Sequence, residues 1–249
     1  MTASLLPPVL AVPGAVSGPA PLAAALEEIF PGREIHVIDP LAFAVGDEVN
    51  FSTWTRDFLD AIPKGSPALL FGYSMGARLA LHALRADPSR WVSAVLVSGH
   101  PGLANAEEKA ARAREDETWV RRAESDPWSQ FLAEWEARPV FQTGIPPRDW
   151  KPSLARSWEE DRLALEARRA VVASSLRAWS LGQQGDFHSF LSQCSVPITW
   201  VTGALDEKFT RLGRELAATC PCITHTIVPG VGHRVPWEDT NGACLGSVS

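Results

Sequence analysis

The sequence predicts an α/β protein with a doubly wound, mostly parallel sheet of about six strands and a helical insertion. Short apolar runs recur along the chain, and helix-like patterns lie between several of them. One long stretch, from Gly99 to Pro197, separates the fourth run from the fifth. Continuous apolar runs are typical of strands buried on both faces, and their alternation with helices favours a parallel sheet.

The apolar runs are the predicted strands, and most are rich in Val, Ile or Leu. In order they are PVLAVPG (8–14), EIHVIDP (34–40), ALLFGYS (68–74), SAVLVSG (93–99), PITWVTG (197–203) and HTIVPG (225–230). Each ends near Gly, Pro or Asp, residues that favour turns. Helical patterns at 21–29, 53–61, 75–86 and 207–218 supply the crossovers that parallel strands need.

The insertion after the fourth strand is predicted to be helical. It carries six of the ten tryptophans, and its segments NAEEKAARAREDETWVRRAE and WSQFLAEWEA have amphipathic patterns. Because ligands bind at the carboxyl edge of such sheets, we interpret residues 104–186 as a cap over a site there. Residues 1–103 and 187–249 then form the core. A packing or dimerisation element is the alternative interpretation.

Composition narrows the classes of function. The 249 residues carry a net charge of −6, which gives no positive field for nucleic acid. We read the four cysteines, Cys194, Cys220, Cys222 and Cys244, as reduced thiols. No signal peptide, transmembrane run or membrane insertion is expected, so we predict a cytoplasmic location. The sequence leaves monomer and dimer open.

The segment Gly72-Tyr73-Ser74-Met75-Gly76 fits the nucleophile elbow of the α/β-hydrolase fold. An apolar run precedes it and a helical pattern follows, which is the context that the motif requires. The strained turn would hold the Ser74 hydroxyl clear of the backbone, and the Met75 N–H would form half of an oxyanion site. The alternative is a serine that caps the helix in a glycine-rich turn.

A serine elbow on this fold needs an acid and then a histidine later in the chain. Asp206 and His233 each follow a predicted strand end, so both would lie at the carboxyl edge beside Ser74. Asp206 would fix the imidazole tautomer, and His233 would act on the serine. Glu207 competes with Asp206 but lies one residue further into the turn. Among the other histidines, only His100 is placed to face the pocket.

Arg78 stands one turn into the helix that follows the elbow. A positive charge there adds to the positive end of the helix dipole, which is unfavourable unless an anion lies nearby. That anion is either a neighbouring carboxylate or the substrate. A guanidinium beside the nucleophile favours a carboxylated substrate that is held bidentately.

Four segments together give the chain a specific resemblance. GYSMGARLAL (72–81), SGHPGLANAEEKAARAREDETWV (98–120), FLAEWEARPVF (131–141) and GALDEKF (203–209) resemble the 2-succinyl-6-hydroxy-2,4-cyclohexadiene-1-carboxylate synthase family. The resemblance runs from about residue 9 to residue 238. It implies an α/β-hydrolase-fold lyase of menaquinone or phylloquinone biosynthesis. Such a lyase eliminates pyruvate from 2-succinyl-5-enolpyruvyl-6-hydroxy-3-cyclohexene-1-carboxylate without a metal or organic cofactor.

The resemblance also implies roles for particular residues. Ser74, activated by His233 and Asp206, acts as the base, and Arg78 and Arg112 hold carboxylates of a small polycarboxylate substrate. A third arginine comes from DRLALEARRAVVASSL, where Arg162 is the choice and Arg168 the fallback. Tyr73 and Trp135 also match residues of the family's pocket wall. The family usually has a His-Gly pair after the first strand, where this chain has Pro13-Gly14, and Ala15 is expected to be the second oxyanion donor.

Three interpretations stay open at this point. Trp135 is as well explained by packing within the cap as by a place in the pocket. The function next in order is a serine hydrolase, either an esterase or a C–C bond hydrolase, which would form an acyl-enzyme. The last is a ligand-binding protein that keeps the fold without the chemistry.

Overall fold

The apolar runs form one sheet of six parallel strands. The computed structural model describes residues 6–46, 48–63 and 67–239. The strands are β1 (Val9–Val12), β2 (Ile35–Val37), β3 (Ala68–Tyr73), β4 (Trp91–Val97), β5 (Ile198–Gly203) and β6 (Ile223–Val228). Their order across the sheet is β2-β1-β3-β4-β5-β6, and every adjacent pair is parallel. The predicted fold class is confirmed.

Helices fill the connections between strands and most of the long insertion. They are α1 (Ala20–Ile29), α2 (Phe51–Ala61), α3 (Met75–Ala86), α4 (Ala106–Ser125), α5 (Trp128–Glu136), α6 (Pro152–Ala164), α7 (Arg169–Ala178), α8 (His188–Leu191), α9 (Glu207–Thr219) and α10 (Val235–Glu238). None within the described ranges combines the length and apolarity needed to cross a bilayer. The four helices predicted between strands match α1, α2, α3 and α9 to within two residues at each end.

Both faces of the inner strands β1 and β3 are buried, which explains their apolar runs, whereas the edge strands β2 and β6 are partly exposed. Successive residues along a strand point to opposite faces. Leu70 on β3 packs in the cluster that holds α2 and α3, whereas Phe71 packs in the cluster that holds α1. Because neither face of β1 or β3 meets water, these strands show no polar alternation.

The order of strands places a crevice at the end of β1. From β1 the chain moves outward to β2, then returns to place β3 on the other side of β1. Loops after adjacent strands therefore diverge at this point and leave a crevice beyond the carboxyl edge, where ligands bind in such sheets. The loop after β1 and the elbow after β3 flank this crevice.

The helices of the insertion have an apolar cluster of their own. Phe131, Trp135 and Val172, from α5 and α7, pack there with residues of α4, and Val16 and Leu41 reach it from outside the insertion. Asn105 begins α4 because its side chain accepts hydrogen bonds from the backbone N–H groups of Glu107 and Glu108. The boundaries of the cap, 104 and 186, stay a prediction.

The cysteines in the described ranges form no disulfide. Cys194, Cys220 and Cys222 are free thiols, and burial is the main reason that the pKa of Cys222 is raised to about 12. A thiol with so high a pKa is a poor nucleophile at neutral pH. Cys244 lies outside the described residues.

Candidate active site

The elbow between β3 and α3 holds Ser74 in a strained conformation. Its φ is 52° and its ψ is −110°, and its side chain makes no capping hydrogen bond to α3. A side chain at Gly72 would come within 2.6 Å of the Ala77 Cα, and one at Gly76 would collide with the Val12 carbonyl. Both glycines are therefore required by close backbone approach, and the helix-cap interpretation of Ser74 is wrong.

A hydrogen-bonded chain joins Ser74, His233 and Asp206. The Ser74 Oγ lies 3.1 Å from His233 Nε2, and His233 Nδ1 lies 2.6 Å from Asp206 Oδ2. His233 and Asp206 are 3% and 5% exposed, so water competes little for these contacts. Asp206 also precedes α9, where its Oδ1 faces the Phe209 N–H at 3.4 Å. Glu207, the competing acid, is exposed.

Several residues near this chain of hydrogen bonds have strained backbone conformations. Within the described ranges, Val16, Ser74 and Ser98 are the non-glycine residues with positive φ, near +50° in each case. They follow β1, β3 and β4 at the carboxyl edge of the sheet. Strain of this kind tends to persist at functional sites, where the surrounding structure holds it in place. Here Ser98 Oγ donates to the His233 carbonyl at 2.8 Å, which fixes the histidine backbone.

Glu238 also positions the loop that carries His233, by accepting hydrogen bonds from backbone amides next to the histidine. Its Oε2 accepts from the Gly232 N–H at 2.5 Å and from the Ile145 N–H at 3.1 Å, and Oε1 accepts from the Arg234 N–H at 3.3 Å. Glu238 is 4% exposed. One buried carboxylate therefore ties the residues on either side of His233 to a segment of the insertion.

The two predicted oxyanion donors lie beside Ser74. Ala15 and Met75 both line the cavity that contains the serine. Neither amide donates a hydrogen bond within the described part of the chain. Met75 is the first residue of α3, so its N–H has no acceptor inside the helix. These amides are available to a developing negative charge.

Arg78 lies in the same cavity wall and is 9% exposed. Its Nη1 donates to the Trp179 carbonyl at 2.8 Å and to Gln184 Oε1 at 3.3 Å. Among the described residues, no carboxylate lies within salt-bridge distance, and Nε and Nη2 make no hydrogen bond. Burial and the neighbouring Arg112 lower the pKa of Arg78 to about 9, so it remains a cation at neutral pH.

The other predicted arginines differ in their partners. Arg112 lines the cavity, where its Nε lies 2.9 Å from Asp116 Oδ1. Arg162 also lines it, pairs with Glu136, and has its pKa lowered to about 10 by burial. Arg168 is not in this wall and instead binds Asp39 at 2.7 Å. Of the two alternatives for the third arginine, the geometry favours Arg162.

Three further predicted residues line the cavity. Tyr73 is buried between the rings of His233 and Trp237, and burial raises the pKa of its phenol. Trp135 meets Trp119 edge to face at 5.3 Å, so it both packs and faces the cavity. His100 accepts the Gly102 N–H on Nδ1, and burial with the nearby Arg78 charge lowers its pKa to about 3. His100 is therefore neutral at physiological pH.

These side chains enclose a cavity of about 430 Å³. Its wall joins the elbow, the histidine loop and the insertion, and it contains more cations than carboxylates: Arg78, Arg112, Arg138, Arg162 and Lys208 against Glu115, Asp116 and Asp206. A second cavity of about 780 Å³ lies behind Phe141, Trp158 and Arg162 and does not reach the triad. The first cavity therefore suits a small anionic ligand held beside Ser74.

Sequence reasoning missed several residues of this site. Arg138 lines the cavity, Glu136 bridges Arg162 and Arg234, and Phe209 packs on the His233 ring at 4.7 Å. Arg138 and Glu136 lie within the quoted segment FLAEWEARPVF, and helical spacing from Trp135 could have pointed to Arg138. Within the described ranges, no group of three or more His, Cys, Asp or Glu is arranged to hold a metal ion.

A strained serine elbow, a Ser-His-Asp chain and a parallel sheet point to one fold family. The family model described as "Alpha/beta hydrolase family" matches residues 9–245. The chain belongs to the alpha/beta hydrolase family. Solved structures agree with this alpha/beta hydrolase architecture. MenH from S. aureus has a TM-score of 0.84 at 23% identity and covers 99% of this chain and 94% of its own.

Curated relatives narrow the similarity within the alpha/beta hydrolases. The 2-succinyl-6-hydroxy-2,4-cyclohexadiene-1-carboxylate synthase of Escherichia coli O1:K1 / APEC is 34% identical over 175 residues, 70% of this chain. The matched part spans 64% of that relative's length. A thermophilic esterase from Thermogutta terrifontis, solved with malate bound, shares the fold at a TM-score of 0.71 and 19% identity, over 97% of this chain and 88% of its own.

Proposed function

We propose that this chain is a lyase of the 2-succinyl-6-hydroxy-2,4-cyclohexadiene-1-carboxylate synthase type, acting in menaquinone or phylloquinone biosynthesis. The observation that carries the proposal is the pairing of a Ser-His-Asp chain with Arg78, a buried cation that has no carboxylate partner among the described residues. The similarity to curated synthases supports the same assignment. The substrate is a small polycarboxylate, and neither metal nor organic cofactor takes part.

The reaction is the elimination of pyruvate from the enolpyruvyl ether. The ring proton next to the succinyl ketone is acidic because the ketone stabilises the resulting carbanion. Ser74 Oγ takes that proton and passes its own to His233 Nε2, with Asp206 holding the imidazole. The electron pair moves through the ring double bond, the ring C–O bond breaks, and enolpyruvate leaves. The proton held by His233 returns to it as it becomes pyruvate, which restores the neutral imidazole. No water is consumed.

The free amides of Met75 and Ala15 would stabilise the enolate oxygen that forms when the proton is lost. Preorganised donors are most effective in a site that excludes water. Arg78, Arg112 and Arg162 would hold carboxylates, with Tyr73, Trp135 and His100 completing the wall. Because His100 is neutral and its Nδ1 accepts the Gly102 N–H, its Nε2–H can donate a hydrogen bond without adding charge.

Ester or C–C bond hydrolysis is the second candidate. The same serine, imidazole and pair of free amides would serve an acyl-enzyme mechanism. Arg78 disfavours this candidate because a neutral acyl group would leave its remaining N–H groups without an acceptor. Hydrolysis of activated esters should therefore be slow.

Pyruvate release tests the proposal. The purified protein would be supplied with 2-succinyl-5-enolpyruvyl-6-hydroxy-3-cyclohexene-1-carboxylate, and pyruvate would be followed with a coupled dehydrogenase. We expect release well above the spontaneous rate, and loss of that activity in Ser74→Ala. Release at the background rate from folded protein, or a Ser74→Ala variant as active as the parent, would refute the proposal.

A further inference from the structure

Arg138 is a cavity-wall cation with no role in the mechanism above. It follows α5, and its side chain is 16% exposed. Its guanidinium lies 4.4 Å from the centre of the Trp135 ring and 5.3 Å from that of Trp119. Two indole rings thus hold one planar cation at the cavity wall.

The Arg138 guanidinium has no close acceptor. Its nearest carboxylate is Glu115, with Arg138 Nη2 and Glu115 Oε1 3.9 Å apart, which is too long for a hydrogen bond. Among the described residues, the Arg138 side chain donates no hydrogen bond. A largely buried cation without an acceptor is costly. The faces of the indole rings offer no oxygen or nitrogen acceptor, so the N–H groups of Arg138 remain available for bidentate contact with a carboxylate.

The neighbouring charges sharpen the contrast with the other arginines. Arg112 already has Asp116 as a partner and Arg162 has Glu136. Arg78 has only neutral acceptors, and Arg138 has no close one. Burial, followed by the nearby Arg112 charge, lowers the pKa of Arg138. An anion bound between these cations would relieve that repulsion.

We propose that Arg138 binds a carboxylate of the substrate edge-on and makes the site selective for polycarboxylates. Arg78 and Arg138 then take two different carboxylates, one on the elbow side of the cavity and one on the side of the insertion. This inference rests on the proposed function, since it assigns part of that substrate's recognition. It adds a specificity-determining residue to the arginines that the resemblance implies.

Kinetics separate this role from a packing role. Arg138→Gln should raise KM for the enolpyruvyl substrate about tenfold or more, because a charged hydrogen bond is lost, while kcat changes much less. Arg138→Lys should recover part of the loss because it keeps the charge without the bidentate geometry. Arg121→Gln is the control, since that cap arginine is 76% exposed and lies outside both cavities. Unchanged KM in Arg138→Gln would overturn the proposal.

A binding experiment distinguishes failure of this inference from failure of the proposed function. The cyclohexadiene dicarboxylate product would be titrated into Ser74→Ala and into Ser74→Ala with Arg138→Gln, with tryptophan fluorescence as the signal. Weaker binding in the double variant supports Arg138 even if the parent releases no pyruvate. If the two variants bind the product equally and the parent does release pyruvate, only the proposed role of Arg138 is overturned. If the protein neither binds the product nor releases pyruvate, both the Arg138 proposal and the proposed function are overturned.

Discussion

At the scale of single residues, an arginine in the cavity wall is available to a substrate carboxylate when it has no carboxylate partner within the protein. Arg78 donates to a backbone carbonyl and an amide oxygen, which position the guanidinium without neutralising it. Arg112 and Arg162 face the same cavity but already bind carboxylates. A substrate carboxylate gains most from the cation that is not yet paired, so Arg78 should dominate recognition near Ser74.

Arg78→Gln should lower kcat/KM for pyruvate elimination by about 10- to 100-fold, because a charged hydrogen bond is replaced by a weaker one. Steady-state kinetics would measure this, with Arg85→Gln as the control on the same helix. Arg85 lies in the last turn of α3 and is absent from the cavity wall. A change below about twofold in Arg78→Gln would remove its role in binding the anion.

Substitutions at Arg162 and Arg168, the two arginines of the later insertion segment, should have different effects on activity. Arg162→Gln should lower kcat/KM, because Arg162 lines the cavity, whereas Arg168→Gln should stay within about twofold of the parent. The same pyruvate assay measures both. Unchanged kcat/KM in Arg162→Gln would show that Arg162 has no role in the site, and a loss in Arg168→Gln alone would assign the third position to Arg168.

At the scale of elements, loops after the parallel strands carry the site, and side chains distant in sequence hold them. Ser98 fixes the His233 carbonyl, and Glu238 binds amides on both sides of His233. Glu238 also binds the Ile145 amide of the insertion. The position of the histidine therefore depends on a carboxylate that never touches the reacting atoms.

Glu238→Gln should reduce kcat with little change in KM. A glutamine offers one acceptor oxygen in place of two and turns an N–H₂ group toward backbone N–H groups, so the loop that carries His233 would shift. Kinetics together with thermal unfolding would show the effect. Glu207→Gln, an exposed position next to Asp206, is the control. Unchanged kcat in Glu238→Gln would show that the loop carrying His233 keeps its position without the Glu238 carboxylate.

Much of the fold and part of the site could be predicted because the signals are local. The strand runs, the elbow and the order of acid and histidine each occupy a few consecutive residues. The choice between Arg162 and Arg168 could not be settled, because a 3₁₀ turn, Leu165–Arg168, follows α6 and breaks the helical register. The salt bridge between Glu136 and Arg234 joins residues far apart in sequence, so no local sequence pattern predicts it.

At the scale of the whole molecule, buried neutral histidines make stability depend on pH. Burial lowers the pKa of His82 and of His100 to about 3, against about 6.5 in an unfolded chain. Between these values the unfolded state takes up protons that the folded state does not. Stability is therefore full above about pH 6.5 and falls as the pH is lowered, by up to about 1.4 kcal/mol per pH unit for each histidine.

His82→Leu should reduce this dependence by about 1.4 kcal/mol per pH unit between pH 6 and pH 4, because the titration of His82 in the unfolded state is removed. His82 stacks on Phe51 at 4.3 Å, so the variant will also be less stable at neutral pH. Urea unfolding at several pH values gives the slope independently of that offset. A slope equal to that of the parent would show that His82 is not kept neutral by burial.

The central claim is that this cavity catalyses elimination and not hydrolysis. The most direct test measures pyruvate and the conjugated ring diene together, as the purified protein turns over the enolpyruvyl substrate. Elimination predicts one diene, seen by its ultraviolet absorbance, for each pyruvate released, with both signals lost in Ser74→Ala. Pyruvate released without the diene would mean that water cleaves the ether, and the account of Ser74 as the base would be wrong.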